Sequence, residues 1–311
     1  MALDLTPWGL GEPDAVSAPE HGSNNWVRFV RFGVDTYVYR LQRNADPLRV
    51  AAEQRLLSEL GRCGLSFDVP AALSTTDGAT TAETPYGLAT LSRQLPGAHP
   101  ARSLAELEQA GRALGELDAA LAELPHELAP VDWRRPLATI RPEITDLGAL
   151  CRELQRELPG AVTAWFAERL PEIDAAAEEL RRTLPAQIVH GDFALGNLLV
   201  ADGQVTAVLD FEVAGLDLRA ADLAAGLYQS TEELDPDQVA AFRAGYGVGT
   251  TLSAAEEDAL PTLLLHRAIG TVIWRAGAWR AGHASRDDVL ERLAAAYRLQ
   301  GYMAGPDQLP S

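Results

Sequence analysis

Two short stretches constrain this chain more than the rest of it: IVHGDFALGNLLV at 188–200 and VLDFEVAGLDLRAADLA at 208–224. QIVHGD begins as a short apolar strand. NLLV and VTAVLDF flank ADGQ, and Asp202-Gly203 is a good tight-turn pair, so a hairpin is expected there. Asp192 and Asn197 lie five residues apart in a loop between apolar segments, and Asp210 closes the next strand thirteen residues after Asn197. The hairpin can fold Asp210 back beside Asn197. Two carboxylates and an amide oxygen then share one mouth. Hard divalent cations prefer such oxygen ligands, and Mg²⁺ usually takes one or two carboxylates plus substrate phosphates. Either aspartate alone is more often a turn cap or a solvated strand end. The ordered set, between correctly patterned strands, points instead to a site.

An Asp, four intervening residues, an Asn, and then an Asp at the following strand end have the form of the kinase catalytic loop and its metal site. HGDFALGN plus LDFEVAGLDLRAADLA resembles the superfamily of aminoglycoside phosphotransferases, choline kinases and homoserine kinases. Its mark is HGD, with Gly where protein kinases have Arg, and DFE stands where they have DFG. The resemblance is sharp over 187–226, moderate over the N-terminal third and weak over the last eighty or so residues. It implies an α+β, bilobal protein-kinase-like fold with a small β-rich N-lobe and a larger helical C-lobe. It also implies ATP- and Mg²⁺-dependent transfer of a phosphoryl group to a hydroxyl of a small molecule. Asp192 would orient that hydroxyl and accept its proton, while Asn197 and Asp210 would hold the metal against the phosphates. His190 would be architectural, and Asp222 would bond the backbone of the catalytic loop.

The N-terminal third reads as mixed strand and helix. WVRFVRF (26–32) and TYVYRL (36–41) are β-branched and aromatic around GVD, a hairpin signal. Helical spacing runs from Asp46 to Cys63, with Val50, Leu56, Leu57 and Leu60 on one face, Asp46 as N-cap and Pro47 at the first position. FDVPAAL and TPYGLATLSRQ read as strands separated by TTDG. LPGAHPA (95–101) is a Pro/Gly break, which divides the chain into a nucleotide-binding lobe, 1–95, and a catalytic and substrate-binding lobe, 96–311. Amphipathic helices follow it, interrupted by the 187–211 block and by breaks near Asp235, Gly249 and His283.

The resemblance places HGSNNWVRF (21–29) where kinases have a glycine-rich phosphate loop. Ser23, Asn24 and Asn25 can offer donors to phosphates, and the same residues also suit an ordinary hairpin turn. All 26 basic positions other than histidine are arginine, so the phosphate anchor of the third strand must be arginine. Period-two alternation puts Val38 and Arg40 on one face and Tyr37, Tyr39 and Leu41 on the other. A half-buried arginine needs a partner, and Glu53 on the following helix can supply one, as the kinase Lys–Glu pair does. Arg43 competes with Arg40 for this role. Thr90, Leu91, Ser92 and Arg93 are the expected hinge beside adenine, acting through backbone groups.

On the acceptor side, Glu212 and Asp217 follow Asp210 closely. Acidic runs at 232–233 and 256–258 would favour an amine, but SAAEED also reads as a helix start capped by Ser253. Arg267 and Trp274 share a helical face in LHRAIGTVIWRAGAWR, near Arg275, Trp279 and Arg280. An arginine there can hold a carboxylate, aromatics can enclose a quaternary amine, and core packing accounts for the same pattern. An aminoglycoside-like or amino-alcohol acceptor leads, with a homoserine-type amino acid as the alternative and an inactive kinase-fold binding module as a rival of another class.

The net charge of −18 repels phosphate backbones, so nucleic acid is excluded as an expected partner; that charge serves solubility as readily as binding. No stretch has the form of a signal peptide or a membrane span, which leaves no membrane partner and the cytoplasm as the expectation. Cys63 and Cys151 lack metal or disulfide spacing, and Cys63 is expected to be packed or partly buried.

Overall fold

The computed structural model describes residues 3–19, 26–42 and 46–304, with side chains to residue 300. A five-stranded antiparallel sheet is ordered β1-β2-β3-β5-β4: β1 Ala15–Ser17, β2 Trp26–Phe32, β3 Asp35–Gln42, β4 Ala82–Thr84 and β5 Gly87–Arg93. β2 and β3 turn at Gly33, where a positive φ of 58° suits glycine. The register pairs Val27 with Arg40, Arg40 with Thr90 and Val38 with Ser92, so these residues share one face. The opposite face buries Val30, Tyr39, Leu41, Ala89 and Leu91 against Leu5 and Trp8. Helix α1, Pro47–Leu60, crosses between β3 and β4 with Asp46 accepting the Leu48 N–H as its cap. Its Leu56, Leu57 and Leu60 enter the large core built by the later helices.

FDVPAAL forms no strand. Asp68 makes one parallel bridge to Ala207 and Ala72 one antiparallel bridge to Ser92; Pro70 between them has no N–H to extend a ladder. Cys63 is exposed, because α1 ends at Leu60 and the thiol sits in the turn beyond, against the Glu59 carbonyl. Cys151 is buried.

The larger part is helical: α2 Leu104–Ala122, α3 Leu147–Glu157, α4 Ala161–Thr183, α5 Arg219–Ser230, α6 Pro236–Gly249, α7 Ala254–Arg280 and α8 Arg286–Ala304. Ser103 and Ser253 start α2 and α7 with full capping boxes. Two small antiparallel pairs sit among these helices: β6 Ala186–Val189 with β9 Gly215–Leu218, and β7 Leu198–Ala201 with β8 Gln204–Val208. The chain passes from β5 into this region through Pro96–His99. There Ala98 exchanges backbone hydrogen bonds with Val200, and Thr206 donates to the Pro96 carbonyl. Among the described residues no helix is long and apolar enough to cross a membrane.

Glycines bring α2 and α6 into backbone contact. A Cβ on Gly111 would strike the Phe242 carbonyl, and one on Gly245 would strike the Glu108 carbonyl; Gly247, on the outer face of α6, meets nothing. Gly245→Ala is therefore expected to destabilise, by more than the about 1–3 kcal/mol typical of overpacking, because a backbone atom cannot repack. Gly247→Ala is expected to stabilise by about 0.5–1 kcal/mol from helix propensity alone. Urea melts of the two variants check the opposite signs.

Candidate active site

The loop from His190 to Asn197 joins β6 to β7, and its shape follows from three fixed points. Gly191 has φ of +78°, and a Cβ there would lie 2.9 Å from the Val213 carbonyl oxygen, so glycine is required on both counts. Asp222, at the start of α5, accepts the backbone N–H groups of His190 (2.6 Å) and Gly191 (2.8 Å). The His190 ring, with no exposed surface, ties the loop to the β8 end. Its Nε2 lies 2.9 Å from the Leu209 carbonyl, and its Nδ1 accepts the Asp192 N–H at 3.2 Å. These contacts fix the neutral Nε2–H tautomer. They leave His190 no free nitrogen for base chemistry.

Asn197 ends the loop in a single 3₁₀ turn, and its Nδ2 donates to the Asp192 carbonyl at 2.9 Å. That bond orients the amide and leaves Oδ1 as its open acceptor. The Leu209 N–H bonds the Asn197 carbonyl at 2.8 Å, which brings the residue before Asp210 alongside Asn197. Asp210 has φ of +64°. Left-handed backbone is uncommon for a non-glycine residue, though aspartate adopts it more readily than most, as Asp202 does in the hairpin turn. Among the described residues no cluster of three or more His, Cys, Asp or Glu side chains could hold a metal alone. A pair of hard oxygen donors, Asn197 Oδ1 and the Asp210 carboxylate, nevertheless fits Mg²⁺, which completes its octahedron with waters and phosphates.

Arg40 reaches this pair from the sheet. Its guanidinium lies 3.5 Å from Glu53 of α1, 3.1 Å from Asp210 and 2.8 Å from Glu212. Arg49 of α1 adds a bond of 2.5 Å to the Glu212 carbonyl. Sheet, α1 and the DFE segment are thus pinned at one point. Burial pushes the Glu53 carboxyl up to about 7, offset in part by Arg40 and reinforced by Glu212 and Asp210. The linkage sign follows. Folded Glu53 holds its proton more tightly than unfolded Glu53, so its contribution to stability is complete below about pH 4.5 and is lost as pH rises through about 7. Glu53→Gln is expected to remove a pH-dependent loss of the order of 3 kcal/mol between those limits. Paired wild-type and variant denaturation curves across that range measure the difference.

Ser23, Asn24, Asn25 and Arg43 lie outside the described residues. Ser92 is half-buried on the face that carries Arg40 and Val38. Leu91 has no exposed surface, faces the opposite side and gives its carbonyl to the Leu73 N–H, so it presents no side chain to the cleft. Thr90 pairs directly with Arg40, and Arg93 turns outward over Tyr37 and towards Asp35.

A cavity of about 690 Å³ opens beside the loop, with Asp192, Glu212, Asp217, Arg267 and Trp274 all in its lining. Arg267, from the middle of α7, donates to Asp192 Oδ1 at 2.6 Å and to the Gly191 carbonyl at 3.2 Å. Asp217 lies on β9 with its carboxylate buried against Arg181 at 3.1 Å, so the cavity meets an ion pair there rather than a bare acid. Trp274 is 46% exposed and carries the Arg141 guanidinium 4.4 Å above its ring. Next to Arg267, burial and the nearby Arg181 and Arg267 hold His266 down to about 3, so it stays neutral. The acidic runs are paired: Glu232 with Arg102, Glu256 with Arg219 and Glu257 with Arg243, away from the cavity, and Glu233 with Arg298 in its lining. Arg280 points away, to Glu153.

The sequence reading missed the extent of the cavity's arginine lining. Arg135, Arg181, Arg292 and Arg298 join Arg267 and Arg275 there, and together they come from four separate parts of the chain.

A five-stranded sheet over a helical part, with an HGD…N…DFE loop between them, defines a protein-kinase-like phosphotransferase that acts on small molecules. The chain belongs to the phosphotransferase enzyme family, whose model matches residues 15–260. It is 24% identical to a homoserine kinase of Granulibacter bethesdensis over 99% of this chain and 95% of that protein. It is 30% identical to a homoserine kinase of Gluconacetobacter diazotrophicus over 88% and 84%. Among solved structures it superposes on a microcompartment-associated aminopropanol kinase with a TM-score of 0.74, at 21% identity and 96% and 95% coverage. On an amicoumacin kinase in complex with AMP-PNP and Ca²⁺ the score is 0.72, at 16% identity and 94% and 89% coverage.

Proposed function

We propose that this enzyme transfers the γ-phosphoryl group of ATP, with Mg²⁺, to a hydroxyl of a small acceptor that carries a carboxylate, as homoserine does. The observation that carries the reading is Arg267, bonded to Asp192 inside a cavity lined by arginines. In a chain of net charge −18, this concentration of guanidinium groups beside the hydroxyl-activating residue favours an anionic group on the acceptor. The homoserine kinases among the relatives support the same choice. Asp217, Glu233 and Glu212 also line the cavity, but each is paired, with Arg181, Arg298 and Arg40. The aminoglycoside-like and amino-alcohol alternatives therefore find little uncompensated negative charge.

The parts divide the work. Mg²⁺ held by Asn197 and Asp210 would neutralise phosphate charge. Arg40, released from Asp210 and Glu212, would turn its planar fork to the phosphates while keeping Glu53. Asp192 would accept the acceptor's hydroxyl proton as that oxygen bonds to the γ-phosphorus and the bond to the leaving ADP oxygen breaks. Because phosphoryl transfer has a loose transition state, positioning and charge account for most of the rate. Asn197 and Arg267, one on each side of Asp192, supply that positioning.

The acceptor is tested with a matched pair: L-homoserine and 3-aminopropan-1-ol, which is homoserine without its carboxylate. The enzyme is expected to prefer homoserine by about 100-fold in kcat/KM, the value of a charge-assisted bidentate pair in a closed site. Arg267→Met should remove most of that preference by raising KM for homoserine. Equal rates on both acceptors in the wild type would overturn the carboxylate assignment.

A further inference from the structure

Two acids sit behind the catalytic loop, and the phosphotransfer chemistry has no use for one of them. Asp118 projects from α2 with no exposed surface, and Asp222 from α5 is 1% exposed. Asp222 is committed to the N–H groups of His190 and Gly191. Asp118 Oδ2 accepts the Tyr246 hydroxyl from α6 at 2.8 Å, and its main-chain carbonyl accepts Gln187 Nε2 at 3.0 Å. Asp118 Oδ1 is fully buried, and no donor among the described residues reaches it. The Asp118 side chain lies within hydrogen-bonding reach of the Asp222 carboxyl, and with Oδ2 given to Tyr246, Oδ1 is the oxygen left for that contact.

Two bare carboxylates in contact, both out of water, repel each other and leave Oδ1 unsatisfied. The charged and titratable groups facing them, Arg219 beside Asp118 and His190 beside Asp222, offset this only in part. Arg219, at the start of α5, is already held by both oxygens of Glu256 and by Thr250. His190 is neutral and engaged at both ring nitrogens. Tyr246 already donates its one proton. A proton on Asp118 Oδ1 resolves the conflict, because it turns the orphan atom into a donor that Asp222 can accept and leaves the Tyr246 bond in place.

We propose that Asp118 is a neutral carboxylic acid that donates from Oδ1 to Asp222, holding the Asp222 carboxylate on the loop N–H groups and so positioning Asp192. Burial and the charge of Asp222 both push the Asp118 carboxyl well above the ordinary range, in the same direction as the geometry. The positioning role rests on the phosphotransferase reading; the proton itself does not.

The test uses the full chain as wild type, Asp118→Asn and Asp118→Leu. Infrared spectra are taken near pH 9, where Glu53 is ionised and ordinary acids are too. The wild type should show a carboxylic-acid C=O stretch that Asp118→Asn lacks. In kinetics, Asn preserves a donor to Asp222 and an acceptor for Tyr246, so kcat should stay within about threefold of wild type. Leu removes the donor, and kcat should fall about tenfold or more with nucleotide KM little changed. No acid band in the wild type, or one that survives Asp118→Asn, would overturn the proposal. So would an Asn variant as impaired as Leu, which would mean that the negative charge is needed. So would a Leu variant with wild-type kcat. If Leu does not fold, the spectra and the Asn kinetics still decide. A protein that shows the band but phosphorylates no acceptor would sink the phosphotransferase reading and leave the proton standing.

Discussion

Asp192→Asn should lower kcat by roughly 10²- to 10⁴-fold, the range for losing a positioned general base, while nucleotide affinity changes little. The substitution is nearly isosteric, and the contacts that shape the loop avoid the Asp192 carboxylate. Its N–H is held by His190, its carbonyl by Asn197, and the Gly191 carbonyl by Arg267. Only the bond from Arg267 to Oδ1 uses the carboxylate, and an amide oxygen can retain that bond in weaker form. The loss should therefore fall on turnover with the fold intact. Single-turnover kinetics, with nucleotide binding measured separately, give the two numbers. A variant that loses nucleotide binding in parallel with turnover would show Asp192 to be structural instead.

Arg40→Ala should raise nucleotide KM and lower kcat together, with a combined loss in kcat/KM of about 100-fold or more, because the proposed charge-assisted contact to phosphate would be lost from a partly buried site. The free enzyme should also suffer. Glu53, Asp210 and Glu212 converge on this one guanidinium, and without it three carboxylates face one another across the cleft. Mg²⁺ should then stabilise the variant more than the wild type in thermal melts. Arg40→Lys should recover part of the nucleotide affinity but not the wild-type value. A single ammonium cannot span Glu53 and the DFE segment as a planar fork does.

The geometry of the candidate catalytic loop was legible because it is local. Asp192, Asn197 and Asp210 are set by one turn, one hairpin and one strand end; the hairpin turns at Asp202-Gly203, and a bulge between Leu199 and Val200, which nothing local announces, shifts its register by one residue. The alternation in β3 likewise put Arg40 opposite Tyr39 and Leu41, and the caps at Asp46 and Ser253 marked two helix starts. What was not legible depends on contacts far along the chain. Asp217 reads as a free acid beside the site, and only the packing of α4 brings Arg181 to it. The acidic runs at 232–233 and 256–258 read as a possible wall for amines, and each meets an arginine supplied by another element. Asp118, in the helical run GELDAALAEL, resembles a solvated surface acid, yet it is buried because Gly111 and Gly245 let α6 close over that face of α2. FDVPAAL had the composition of a strand, but its partners, Ala207 and Ser92, lie in different layers.

The central claim is tested most directly by ³¹P NMR of a reaction holding MgATP, the enzyme and L-homoserine, run beside the same mixture with Asp192→Asn. The γ-phosphate signal is expected to be replaced stoichiometrically by ADP and a phosphomonoester, in an exchange that requires Mg²⁺ and that the variant shows almost none of. Release of inorganic phosphate alone, or an equal yield of phosphomonoester from wild type and Asp192→Asn, would contradict it.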